Sequence, residues 1–133
     1  MTPARTQSGG KGEARNRRII AQQYLDVADL ASSEDSPAAN NVLVGICVLA
    51  GIAAGDAVCL AASGQRYAGQ DHSEAVSFLG AIDKDAGRQL GTLVRLKPVA
   101  HYGTGFVTGA DKTRALRAAS ALVDAAVART TGS

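Results

Sequence analysis

Apolar residues recur at three- and four-residue intervals along most of this 133-residue chain, which is the repeat of helices that bury one face. Ile20, Tyr24, Val27, Ala28 and Ala31 form one such stripe and predict a first helix from Ala14 to about Ser33. Ser36 followed by Pro37 is a start signal, with serine as the cap and proline at the first helical position. The second helix then runs from Pro37 to about Ser63, and Gly64 is a natural stop. Val42, Ile46, Leu49, Ala53, Ala57 and Leu60 line one side of it, and alanine and valine fill much of the rest. A helix apolar nearly all round belongs at the centre of a bundle. Gly45, Gly51 and Gly55 each cost that helix up to about 1 kcal/mol relative to alanine, so their presence suggests that another backbone packs close.

Residues 64–70 read as a loop. Asp71, with Glu74 three residues on, resembles a capping box and opens a third helix from His72 to about Ile82, with Ala75, Phe78, Leu79 and Ile82 inward. A fourth, from Lys84 to about Leu96, is either separate or continuous with the third through a kink near Asp83. Pro98 disfavours helix at Lys97 and removes a hydrogen bond, so the chain should bend or stop there. Gly103, Gly105 and Gly109 mark a loop. The last helix runs from Gly109 or Ala110 to about Arg129, with Leu116, Ala119, Val123, Ala126 and Val127 inward. No alternating strand of useful length and no internal repeat is visible. The expected fold is all-α, a four- to five-helix up-and-down bundle over residues 14–129, with residues 1–13 and 130–133 unstructured.

Composition agrees with helices: apolar residues make up 46% of the chain but aromatics only 4%, so the core must be built from alanine, valine, leucine and isoleucine. A formal charge of +2 is too small for the whole chain to act as a polycation. Arg5, Lys11, Arg15, Arg17 and Arg18 crowd the start, where they form a solvated tail or touch phosphates. Cys47 and Cys59 share the apolar second helix without a CxxC pairing, which reads as small buried residues in a reducing compartment. With no secretory signal pattern in the basic start, the expected location is cytoplasmic. The apolar stretch Val42 to Ala62 carries Asp56 and several glycines, so it reads as a buried core helix with no role in a membrane.

The alanine-rich helix bearing Ala53 to Val58 (AAGDAV), the Gly-rich loop leading to Asp71-His72-Ser73-Glu74-Ala75-Val76, and the segment Arg95-Leu96-Lys97-Pro98-Val99-Ala100-His101-Tyr102-Gly103 together resemble the HEPN domain family over roughly residues 14–128. The family motif is an Arg followed after four to six residues by His. Arg95 and His101 fit it, and His101-Tyr102-Gly103 matches its usual ending. The resemblance implies a metal-independent endoribonuclease without cofactor, toxin-like in some members, whose Arg and His line a cleft at a homodimer interface. Attack of a ribose 2′-hydroxyl on the adjacent phosphate would use His101 as acid or base and Arg95 to neutralise the phosphorane. Lys97 lies four residues before His101, and on a continuous helix those two share a face better than Arg95 and His101 do. Asp56 and Tyr102 complete the expected supporting set.

Asp56 is costly in so apolar a helix unless paired. It reads either as an orienting partner for His101, Arg95 or Lys97, or as a satisfied polar contact. His72 beside Asp71 reads as a surface or capping histidine. Gly109-Ala110-Asp111-Lys112-Thr113 lacks the spacing of a phosphate loop, and Arg114 with Arg117 reads as a solvated face. The competing function is a noncatalytic helical module, partner of a nucleotidyltransferase or toxin–antitoxin pair. A lesser reading places a small-ligand site near His101 and Tyr102.

Overall fold

The computed structural model describes residues 5–34 and 36–131. They form β1 (Thr6–Ser8), α1 (Lys11–Ala31), α2 (Pro37–Ser63), β2 (Gln65–Tyr67), α3 (His72–Ile82), α4 (Lys84–His101) and α5 (Gly109–Thr130). Helix α2 is the axis of the molecule, packed against α1, α5 and α4. Its residues Leu43, Val44, Cys47, Val48, Ala53, Ala54 and Val58 are buried. By length and composition α2 could span a membrane, but most of it is enclosed by the other helices.

Contacts between side chains set the directions of the helices. Arg17 meets Asp56, so α1 and α2 are antiparallel. His101 lies over Gly45 and Leu93 over Gly51, which makes α4 antiparallel to α2. Arg18 meets Thr130 and Lys112 reaches the Ser32 carbonyl, so α5 runs against α1. These four helices are the up-and-down bundle that the hydrophobic stripes predict. The short α3 is an addition, folded back along α4.

The ends of α2 follow their signals: the Ser36 hydroxyl accepts from the Ala39 N–H at 3.2 Å, and Gly64 adopts φ 70°. That left-handed turn, open to glycine without steric cost, sends the chain back along the bundle as β2. The expectation of an unstructured start, for its described residues 5–13, and of a plain loop at 64–70, needs correction here. Thr6, Gln7 and Ser8 pair antiparallel with Tyr67, Arg66 and Gln65, and the ladder is extended by Gly9 N–H to Gly64 O and Ala68 N–H to Arg5 O. Helix α1 then starts at Lys11, where the Glu13 carboxylate accepts from the Gly10 N–H at 3.0 Å. Residues 1–4 of the expected tail, and residues 132–133, lie outside the described residues. Thr130 closes α5, and its hydroxyl bonds back to Ala126 O.

Asp83 separates α3 from α4 in an extended conformation, φ −144°, and its carboxylate caps α4 through the Ala86 N–H. The two helices therefore form a hairpin and not a kinked rod. Helix α4 also passes through Pro98 to His101, five residues beyond the expected stop. Proline removes one N–H but leaves its own carbonyl free to accept from the Tyr102 N–H, at 2.9 Å. The final turn is held by Asn41 of α2, whose amide donates to Val99 O and Gly105 O and accepts from the Val107 N–H at 2.8 Å.

The glycines of α2 do admit close neighbours, but side chains and not backbones fill the space. A Cβ at Gly51 would lie 2.3 Å from Leu93 Cδ1, and one at Gly55 would lie 3.2 Å from Leu79 Cδ2.

Candidate ligand-binding cleft

Because β2 and the following loop climb back along α2 before α3 begins, they stand apart from the bundle and leave an opening. The resulting cleft has a volume of about 440 Å³ and lies between α2, α3, α4 and residues 66–70. Ile52, Leu79, Leu90 and Val94 wall it with apolar surface, while Asp56, Arg66, His72 and Lys97 bring polar groups to it.

Lys97 Nζ lies 2.9 Å from His72 Nε2. An ammonium has hydrogens to give and no lone pair to accept with, so Lys97 donates and the imidazole nitrogen accepts. Burial first, and then the Lys97 charge, hold His72 below the usual histidine value, with Asp71 opposing. The contact fits a neutral ring that carries its proton on Nδ1.

His72 keeps this place because α3 starts rigidly. The Asp71 carboxylate accepts from the Ser73 and Glu74 N–H groups at 2.9 and 3.3 Å. The other half of the expected capping box is replaced: Glu74 accepts from the Tyr67 hydroxyl at 3.0 Å, and that same hydroxyl accepts from the Asp71 N–H at 2.9 Å. Tyr67 thus ties the ribbon to the start of α3.

Asp56 sits on the α2 side of the cleft with its side chain 14% exposed, bound to Arg17 at 3.1 Å and reached by Arg66 at 4.0 Å. Burial pushes its carboxyl above the usual range, and the two guanidinium groups pull it part of the way back. Its partners are therefore two arginines, Arg17 of the basic start of α1 and Arg66 of the segment expected as a loop. Gln7 accepts from Arg66 and so joins β1 to the same cluster.

The expected site residues divide into two groups. Asp56 and Lys97 line the cleft. Arg95 is exposed, folded over Gly91 with its guanidinium 3.4 Å from the Thr92 hydroxyl. His101 closes α4 over Gly45, where a Cβ would lie 3.2 Å from its Nε2, and its ring centroid is 6.0 Å from that of the exposed Tyr102. Six helical positions separate Arg95 from His101, about 9 Å along the axis and about 120° around it. Within one chain they do not converge. Lys97 and His101 share a side of α4 but face different helices, α3 and α2.

Arg66 and Tyr67 are functional candidates that sequence reasoning missed; His72, read as a surface or capping histidine, joins them at the cleft, and Arg17, read as part of a basic start, does so through Asp56. The signal for His72 was present in the text Asp71-His72 after a Gly-rich loop; its meeting with Lys97 depends on the hairpin. No protein-family model matches the chain, and no curated protein matches it, so function has to be read from these residues.

Proposed function

We propose that this chain is a HEPN-like helical protein that binds RNA, taking one unpaired nucleotide into the cleft between α2, α3 and α4. The observation that carries this reading is an apolar interior joined to cationic groups: Ile52, Leu79, Leu90 and Val94 beside Arg66 and Lys97. Single-stranded RNA is held by the same combination, bases against apolar or aromatic surface and phosphates on basic side chains. The cleft volume falls in the range of ordinary ligand sites. Among the side chains that line the cleft, Arg66 and Lys97 outweigh Asp56, which favours an anion there. Strand cleavage, as the resemblance implies it, belongs to Arg95 and His101. Their separation on α4 favours a centre completed by a second copy of the chain.

Fluorescence anisotropy with a single-stranded oligouridylate tests the binding. Arg66→Met and Lys97→Met should each weaken it about tenfold, the loss of one charged hydrogen bond. Unchanged binding in both variants, or none by the wild type at low salt, overturns the reading. Cleavage is tested separately, without metal, and equal activity in wild type and His101→Ala would end the catalytic assignment.

A second reading has its own observation. Ile20, Val27, Val42 and Leu49 are exposed on α1 and α2, and Ile20, Tyr24, Val27 and Ile46 line an apolar groove of about 320 Å³. This suits a helical interaction module that docks a second copy, a nucleotidyltransferase or an antitoxin. Sedimentation of the purified chain, alone and with such a partner, tests it.

A further inference from the structure

We propose that anion binding in the α2–α3–α4 cleft is coupled to the uptake of one proton by His72, because the incoming anion separates Lys97 from the ring nitrogen it now occupies. The inference rests on the reading of the cleft as a phosphate-binding site and adds a regulation that this reading does not contain.

The geometry sets up a competition for one pair of groups. Lys97 reaches His72 across the α3–α4 hairpin at 2.9 Å, and this contact requires the unprotonated Nε2. A protonated ring would place two positive charges at hydrogen-bond distance, which costs free energy in a partly enclosed site. A phosphodiester oxygen between the two groups reverses the preference. It accepts from the Lys97 ammonium and from an Nε2–H, and both bonds are charge-assisted. The anion therefore binds best to the protonated ring, which the empty cleft disfavours.

Other charges around His72 do not remove the effect. On its own helix, the Asp71 carboxylate is committed to the Ser73 and Glu74 N–H groups, and Glu74 accepts from Tyr67. From β2, the Tyr67 hydroxyl is spent on Asp71 and Glu74, while Arg66 adds a positive charge to the cleft. From α2, Asp56 faces Arg17 and Arg66. From α4, only Lys97 among the cleft-lining residues is charged. The lowering of His72 by burial and Lys97 agrees with this arrangement.

The sign follows directly. In the empty protein His72 loses its proton below the usual histidine value, and the bound anion raises that value. Between those two values binding takes up a proton, so affinity rises as pH falls, by at most about tenfold per pH unit. Outside that window it is flat.

Two measurements test this. The first needs no ligand: the chain has two histidines, their NMR titrations are assigned with His101→Ala, and Lys97→Met should raise the His72 midpoint. A midpoint that does not move overturns the coupling. The second uses a 2′-O-methyl oligouridylate, which resists cleavage and whose phosphodiesters do not titrate near neutrality, by calorimetry from pH 5.5 to 8 in buffers of different ionisation enthalpy. Proton uptake and tighter binding at low pH support the proposal, and His72→Gln should bind more weakly and without the slope. Binding with no proton uptake overturns the coupling and leaves the RNA reading standing. No binding at any pH overturns both.

Discussion

Gly80 and Gly87 touch backbone to backbone where α3 folds against α4. A Cβ at Gly87 would lie 2.5 Å from Gly80 Cα and 2.9 Å from Gly80 N, whereas a Cβ at Gly80 would meet nothing closer than Gly87 Cα at 3.9 Å. The hairpin that joins His72 to Lys97 depends on this asymmetric contact. Gly87→Ala should therefore destabilise the protein by about 1–3 kcal/mol, the usual cost of overpacking. Gly80→Ala fits the space and improves helix propensity, so it should be neutral or stabilising by about 0.5–1 kcal/mol. Urea unfolding of the two variants checks both signs, and Gly87→Ala should also loosen the His72–Lys97 contact seen in the histidine titration.

Asp56 should answer differently to two substitutions. Asp56→Ala leaves Arg17 without its 3.1 Å partner in a half-buried position, and breaking such a pair costs about 3 kcal/mol. Asp56→Asn removes the charge but keeps the shape, and it exposes the pH dependence. Burial raises the folded-state carboxyl above its ordinary value despite Arg17 and Arg66, so the folded chain holds this proton to higher pH than the unfolded chain does. The stability this confers is present at low pH and is lost as pH rises through the folded-state value. Wild type should accordingly lose stability relative to Asp56→Asn on raising the pH from about 4, and then run parallel to it. Thermal unfolding of both proteins across that range measures the difference.

How much of this was legible in the sequence depended on whether the cause was local. Ser36-Pro37 and Gly64 bound α2 to the residue because capping and the left-handed turn are properties of neighbouring positions. The stripes of α3 and α5 were readable for the same reason, whereas in α1 Ile20 and Val27 of the expected stripe are exposed and Ala14, Ala21 and Ala28 are the buried residues. The β1–β2 ribbon was not, since three residues carry no useful alternation and Thr6 meets Tyr67 only after α1 and α2 have folded. Pro98 misled because the loss of one N–H was visible, while the Asn41 bonds that hold the last turn come from 58 and more residues away. The cleft was half legible. Asp56 and Lys97 stood out as polar residues in apolar or helical contexts, but Arg17 and Arg66 look like ordinary solvated charges until α1 packs on α2 and the ribbon forms.

Asn41 is the residue most undervalued by its sequence context. Its side chain donates to Val99 O and Gly105 O and accepts from the N–H of the buried Val107. Asn41→Ala would leave the Val107 N–H without that partner, at a cost of about 1–3 kcal/mol. The damage should be local, confined to the end of α4 and the turn into α5. Amide hydrogen exchange is expected to rise at Tyr102 and Val107 and to stay constant at Ala53 to Val58. Uniform acceleration across α2 would show instead that Asn41 supports the whole fold.

The two cysteines report on opening at different depths. Both are buried, and burial pushes each thiol up to about 12, so almost no thiolate exists in the closed protein at pH 8 and reaction with a disulfide reagent must wait for the chain to open. Cys47 lies in the core between helices, whereas Cys59 is buried at the wall of the cleft. Cys59 should therefore react through smaller openings and label faster in single-cysteine variants, Cys47→Ala and Cys59→Ala. An occupant of the cleft should slow Cys59 by a larger factor than Cys47, because local opening on that side is what it blocks. Equal rates, equally slowed, would mean that both thiols are released only by global unfolding.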